Sequence, residues 1–510
     1  MLNHIKKVQY WIANEQIILM AIVLLGLALR LYGIDLPLTD SHQIRQAQTA
    51  MMTRNLYEDG MNMFLTRLDF FGNNPGYIIM EFPLMHEITA GLYHFFGVHE
   101  ILGRLVSVIF SVGAMFLMYG LARQFLAVGG ALAALALYTF SPMNIFFSRA
   151  FMPESSMMFF MVGAVYFLLK WFDRQIFSFY LAAVIFAALT CLVKPTGGII
   201  LAPILAAWFL KYGWKVLRRL DFWLYMSLVA VPTIFWMAYA HFFNAINPPP
   251  FGFGGSWMDL LKARGTVRHW VSFEFYKFVG GSIILLLLTP IGFLGAIAGV
   301  FCAGNDKKNK ILTAWLGALV LYFVVLAGPN SGHIYYHLPL LPVAVIFFGF
   351  AVERVLSHRD AVQAVFQKAS FFCLGAVLAF SVLIAYGVGY FKYFTYMYSD
   401  RMPHVLKISQ IVKNHVPKDR FIIDNESGLL TAVISYYCHA KAHPFSAKST
   451  IEELESLRAQ GATTFVTMET AYDNRVPATK EQKEFWAYLN KKYKPLAITD
   501  HYVIFDLRVP

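Results

Sequence analysis

"TDSHQIRQAQTAMMTRNL", residues 39–56, follows an apolar run over 16–34 that is long enough to cross a membrane. It places Asp40, His42, Arg45 and Arg54 where the chain would leave lipid. If that run is a span, the fold is a membrane protein and these groups stand at the lipid–water boundary. Composition decides the point. The 510 residues are 58% hydrophobic and 14% charged, whereas a soluble chain carries about 25% charged residues. The reading is therefore a polytopic α-helical membrane protein.

The net charge of +12 raises the possibility of a nucleic-acid partner. The basic residues, however, fall in short clusters between apolar runs rather than on one patch. Such clusters read as topology signals and exclude a nucleic-acid-binding role. Cys191, Cys302, Cys373 and Cys438 show no CxxC or zinc-ligand spacing, so no disulfide and no structural metal are expected. Lys6 and Lys7 precede the first apolar run as in a signal peptide, but no small-residue cleavage site follows. The first span is therefore expected to be retained.

A span needs about 20 apolar residues. About eleven are expected, near 16–34, 101–122, 128–147, 155–171, 177–193, 197–211, 222–243, 279–303, 311–327, 338–353 and 369–390. Alternating them puts Lys6/Lys7, Arg123, Lys170/Arg174, Lys211 to Arg219, Lys307 to Lys310 and Arg354 to Lys368 on one side, the cytoplasm. Counting 83–97 as a span would break that alternation. It is expected instead as an interfacial helix, as is the helix after Asp40, with Ile44, Ala47, Met51 and Leu56 on its apolar face. This gives a membrane domain over 1–398 with an external loop at 35–100. A small soluble α/β domain follows over 399–510, also outside. Its strands are read at 420–424, 463–468 and 502–507, and its helices at 404–416, 450–460 and 479–493.

The unusual polar residues all fall on the outer side of this topology. Asp40, His42, Arg45, Glu81, Arg149, Glu154, Lys194, the loop 244–278, His333, Tyr335, Tyr336 and His337 lie within a few residues of the interface. Each has a structural reading. Asp40 with Gln43 fits a helix cap and capping box. Glu81 closes a loop before Pro83, and Glu154 after Pro153 suits a helix start. Arg149 and Lys194 could snorkel to headgroups, and the tyrosines could be an interfacial belt. His333 and His337 have a metal-ligand spacing, but Gly332 and Pro339 argue against a regular helix. Taken together, the set suits group transfer from a lipid phosphate. One carboxylate takes a proton from an acceptor, and cations receive a phosphate leaving group that departs unprotonated. Glycoside hydrolysis, which needs two opposed carboxylates, fits less well.

The Asp after the first span, the Glu-x-Pro that closes the first loop (81–83), Arg149-x-x-x-Pro153-Glu154 and "HIYYHLPLLP" (333–342) together resemble the GT-C glycosyltransferases. Glycosyltransferase family 39 is the nearest branch, which includes lipid A aminoarabinose transferases and protein O-mannosyltransferases. The resemblance runs over roughly 16–350. It implies inverting transfer of one sugar from a polyprenyl phosphate to a lipid, glycan or protein acceptor hydroxyl at the periplasmic face of the inner membrane; the residues themselves point to no cofactor and no metal site. It implies Asp40 as base, Glu81 as its orienter or a sugar ligand, and Glu154 in the second acidic motif. His42, Arg45, Arg149, Lys194, His333, Tyr336 and His337 become candidates for donor phosphate or sugar. The chain departs from many relatives at Ser41, where they carry a second acid. It departs from the aminoarabinose transferases at Phe82, where they carry Lys, and at Pro153-Glu154, where they have Leu-Asp-Pro. Two other classes share parts of the pattern: a ligase or polymerase using a lipid pyrophosphate, and a lipid transporter. The lack of internal repeats and of midplane charge argues against a transporter.

Overall fold

The computed structural model describes residues 2–248, 266–358, 387, 391–415, 421–424, 431–445, 450–467, 480–499 and 501–508. The chain forms two compact units. One comprises Met1–Ile34, Arg104–Ala238 and Ser256–Met397, and the other Asp35–Gly103, Tyr239–Gly255 and Tyr398–Pro510.

The chain opens with α1 (Leu2–Leu31), then two helices of the first loop, α2 (Gln43–Glu58) and α3 (Leu84–Phe96). Next come α4 (Glu100–Ala122), α5 (Val128–Phe140), α6 (Pro142–Phe147), α7 (Glu154–Arg174) and α8 (Phe177–Val193). A 3-10 turn leads into α9 (Leu201–Tyr212), followed by α10 (Leu220–Ile246), α11 (Thr266–Trp270) and α12 (Phe273–Gly281). The membrane part continues with α13 (Thr289–Cys302), α14 (Asn309–Val325), α15 (Ala327–Gly332) and, after a second 3-10 turn at Ile334–Leu340, α16 (Leu341–Ser357).

Among the described residues, five stretches are long and apolar enough to cross a bilayer: Glu100–Ala122, Glu154–Arg174, Pro195–Arg218, Leu220–Ile246 and Ile334–Ser357. A sixth is the pair Phe273–Leu287 and Thr289–Cys302, bent by 99°. Thr289 takes a left-handed φ of 65° just ahead of Pro290, and proline restricts the residue before it and cannot continue a helix. The expected spans at 177–193 and 311–327 are helices of 17 residues each. That at 128–147 breaks at Ser141, whose hydroxyl donates to the Leu287 carbonyl (2.6 Å) ahead of Pro142. The expected span at 369–390 lies outside the described residues. Close helix approach inside this unit depends on missing side chains. Gly299 of α13 lies against the Phe347 carbonyl of α16 with no room for a Cβ.

The other unit joins the first loop to the C-terminal segment. After α17 (Val405–His415) come β1 (Phe421–Asp424), α18 (Thr431–Cys438), β2 (Lys441–Pro444), α19 (Ile451–Ala459), β3 (Ala462–Thr467), α20 (Lys480–Lys492), β4 (Lys494–Ile498) and β5 (Val503–Asp506). The sheet order is β2-β1-β3-β5-β4, with β1 parallel to β2 and β3 and β5 antiparallel to its neighbours. β1, β3 and β5 are buried along their whole length, as strands covered on both faces are. Phe421, Ile423, Leu454, Phe465, Leu489 and Phe505 form the core.

The loop does not stand apart from this sheet. The Ala442 N–H donates to the Asp69 carbonyl (2.7 Å) and the Gly72 N–H to the Ala442 carbonyl (2.6 Å), so residues 69–72 cover the β2 edge. Arg54 of α2 donates to the Tyr436 carbonyl (2.9 Å) and pairs with Asp69 (3.2 Å). The Leu38 N–H donates to the Tyr437 hydroxyl (2.6 Å). This packing changes the expected character of α2. Residues 46–56 are buried throughout, with α3 and α18 both packed on the helix, so it is interior rather than one-faced.

Candidate functional site

The first cluster is built on the entry to α2. His42, not Asp40, is the N-cap residue, in a left-handed conformation (φ 58°, ψ 31°), and it makes no side-chain cap bond. Such a backbone costs about 1–2 kcal/mol in a non-glycine residue. Strain of this kind clusters at functional sites. The capping-box reading of Asp40 therefore does not hold. Its carboxylate is buried (2% exposed) and accepts a 2.5 Å hydrogen bond from Gln46 Nε2, which also donates to the Ser41 carbonyl at 2.9 Å. Gln46 lies one turn into α2 and aims Asp40 from there.

One residue before Gln46, Arg45 reaches back to Glu81 at 2.6 Å. His86, on the first turn of α3, is buried, and its Nδ1 has no hydrogen-bond partner among the described residues. Burial first, and then the Arg45 charge, hold its pKa down at about 4, with Glu81 pulling the other way. The imidazole therefore stays neutral. The Glu81 segment is clamped by Asn244 at the end of α10. Its Oδ1 accepts from the Ile79 N–H (3.0 Å) and its Nδ2 donates to the Ile79 carbonyl (2.8 Å), as a neighbouring strand would. Gln46 and His86 are not among the candidates the sequence singles out, and Asn244 enters there only as the first residue of the loop 244–278. An amide carries no charge signature, and the partners of Asn244 lie 165 positions away.

The second cluster belongs to the other unit. Glu154 opens α7, as its place after Pro153 suggested, and Lys194 at the end of α8 pairs with it. The side chains are 1% and 6% exposed respectively, so Lys194 does not snorkel. Its ammonium also lies 4.3 Å from the Tyr335 ring centroid and 5.3 Å from that of Tyr336, within cation–π range. His333 stacks on Tyr335 (5.1 Å, 13°). His337 does not join this group. It is fully buried, with Nδ1 on the Ser282 hydroxyl (2.6 Å) and Nε2 on the Asn330 carbonyl (3.0 Å). With both nitrogens committed, the His333/His337 spacing does not make a metal-ligand pair. Arg149 is likewise buried rather than snorkelling. It donates to the Gly33 carbonyl (2.7 Å), to which Arg104 also donates (3.0 Å), and the two close the end of α1.

One cluster holds a buried carboxylate oriented by Gln46, together with an Arg45–Glu81 pair that acts on a neutral His86 imidazole. The other holds an ammonium between a carboxylate and two aromatic faces.

The family model of dolichyl-phosphate-mannose-protein mannosyltransferases matches residues 81–239. No curated protein sequence matches the chain. Among solved structures, ArnT from Cupriavidus metallidurans bound to undecaprenyl phosphate superposes with a TM-score of 0.64 at 14% identity, covering 96% of this chain and 97% of that one. The oligosaccharyltransferase AglB from Archaeoglobus fulgidus, in complex with an inhibitory peptide and a dolichol-phosphate, gives 0.61 at 13% identity, covering 91% and 70%. The chain is a membrane protein with the GT-C glycosyltransferase fold.

Proposed function

We propose that this chain is an inverting glycosyltransferase that moves one sugar from a polyprenyl phosphate of the undecaprenyl type to an envelope acceptor hydroxyl, at the periplasmic face of the inner membrane. Asp40 takes the proton from the acceptor hydroxyl. The acceptor oxygen attacks the anomeric carbon as the bond from that carbon to the phosphate oxygen breaks, and the electron pair leaves on the phosphate. Attack opposite the leaving group inverts the configuration. Arg45 and Glu81 orient the sugar and the base, Lys194, Tyr336 and His333 serve the donor phosphate or sugar, and Glu154 holds Lys194 in its buried place by pairing with it. Arg149, His42 and His337 support this arrangement through backbone position and packing.

One observation supports the base role most: Asp40 is buried and held by Gln46 rather than spent on a helix cap. Burying a carboxylate carries a desolvation cost, and the Gln46 amide holds this one in a fixed orientation. Asp40→Asn in reconstituted protein is expected to fold, to insert and to lose about 10²–10⁴-fold in turnover. Wild-type turnover would remove Asp40 from the chemistry. The fold shared with an oligosaccharyltransferase keeps a second reading, transfer of a whole glycan from a lipid carrier. Supplying monophosphate-linked sugar and pyrophosphate-linked glycan side by side separates the two.

A further inference from the structure

The acceptor's own chemistry is legible in a second region of the unit that holds Asp40. The first loop folds back as a hairpin: Arg67 and Tyr77 face each other across an antiparallel bridge, and the Leu68 and Ile78 N–H groups donate to the Gly76 and Thr66 carbonyls (both 2.9 Å). Between this hairpin, the end of α2 and the first residue of β2 lies a cleft of about 570 Å³ whose polar lining is Asp59, Asn62, Arg67, Tyr77 and Lys441. Sites for small ligands run from about 300 to 1,000 Å³.

Three features select among ligand classes. The Arg67 guanidinium is already charge-paired, with Asp59 (2.5 Å) and with Asp69, so it adds hydrogen-bond geometry rather than net positive charge. Of the two cations lining the cleft, Lys441 is the one for which the described residues supply no ion pair. A lipid phosphate, which draws on several unspent cations, is poorly served. The β2 edge beside the cleft is covered by residues 69–72, so an extended peptide has no edge there on which to add a strand. What remains is a set of planar carboxylate, amide and guanidinium groups with one phenol. Such a set matches ligands dense in hydroxyls, which both donate and accept. Tyr77 is four residues before Glu81, about 13 Å along an extended chain, a span of two to three sugar rings.

We infer that this cleft binds a saccharide portion of the acceptor. The inference rests on the glycosyltransferase reading but is tested apart from it. Full-length protein in detergent, fluorescently labelled, is applied to an array of bacterial surface oligosaccharides, with phosphatidylglycerol and an unglycosylated Ser/Thr peptide spotted alongside. Wild type is expected to bind one or more saccharides and neither control. Tyr77→Phe, which keeps the ring and removes only the hydroxyl, and Lys441→Gln should each weaken that binding about tenfold. In turnover assays with saccharide acceptors the same variants should raise the acceptor KM and leave kcat and donor binding unchanged. Absence of saccharide binding, binding by both variants at the wild-type level, or capture of only the lipid or the peptide overturns the cleft assignment. A wild type that binds saccharide but transfers no sugar sinks the glycosyltransferase reading and spares the cleft.

Discussion

Removing the Lys194 ammonium separates two roles that one residue could fill. Lys194→Met strands Glu154, whose side chain is 1% exposed, without its cation. Breaking a buried pair from one side costs about 3–5 kcal/mol, a large share of a typical total of about 5–15 kcal/mol. The double variant Lys194→Met/Glu154→Leu removes both desolvation penalties, and apolar replacement of a buried pair is often neutral or stabilising. Two losses remain: the cation–π contacts with Tyr335 and Tyr336, about 2 kcal/mol when desolvated, and the Glu154 charge at the start of α7, up to about 1 kcal/mol. The double variant should therefore lie within about 3 kcal/mol of wild type and above the single one. Denaturant unfolding in detergent measures this, and native mass spectrometry with undecaprenyl phosphate measures donor binding on the same samples. If Lys194 meets the donor, the double variant recovers stability but not lipid binding. A single variant that loses less than about 1 kcal/mol, or a double variant no more stable than the single, refutes the buried-pair argument. Recovery of binding together with stability leaves Lys194 a purely structural residue.

Other consequences can be checked as directly. His86 titrates in the folded state near pH 4 and near 6.5 when unfolded, so the unfolded chain binds the extra proton between those values. Stability should fall as pH drops from about 6.5 to 4, by on the order of 3 kcal/mol in all, and His86→Phe should flatten that part of an unfolding-against-pH curve. Asn244→Leu leaves the Ile79 N–H and carbonyl without their amide partner and should loosen Glu81. Hydrogen exchange at 77–82 should rise and kcat fall, with stability reduced by about 1–3 kcal/mol; unchanged exchange there would end its positioning role. Gly72 has φ +63° and no space for a Cβ beside His443. Gly72→Val should thus open the 69–72 pairing and speed proteolysis of the first loop, and a resistant variant would show that pairing to be dispensable.

Much of this molecule could be read before its coordinates. Apolar runs over 101–122, 155–171 and 222–243 announced helices α4, α7 and α10, because a bilayer demands length and apolarity that few soluble segments have. Short runs of β-branched and aromatic residues in "RFIID", "TTFVTM" and "YVIFDL" announced three of five strands. The short β2 and β4, "KAHP" and "KPLAI", each contain a proline and escaped that pattern, since their pairing comes from neighbours and not from local preference. Asp40, Arg45 and Glu81 were visible because charge is conspicuous in so apolar a chain. The meaning of Asp40 was not, because the capping box and the buried carboxylate share one sequence. Only the left-handed turn at His42 tells them apart. Arg149 shows the converse: a cation at a span end is plain in the sequence, but its bond to the Gly33 carbonyl, 116 positions away, is not.

The seam between the first loop and the C-terminal segment sets an order of assembly. Leu38 and Tyr437 are 399 positions apart, and Arg54 and Tyr436 are 382 apart. At a synthesis rate of about 5–20 residues per second, residues 35–103 wait roughly 20–80 s on the ribosome for those partners to emerge. The nascent chain thus inserts its helices first and completes the surroundings of Asp40 last. A product truncated ahead of residue 431 lacks the partners that Leu38 and Arg54 take from Tyr437 and Tyr436, so the loop that carries Asp40 is tied down only once nearly the whole chain has been made.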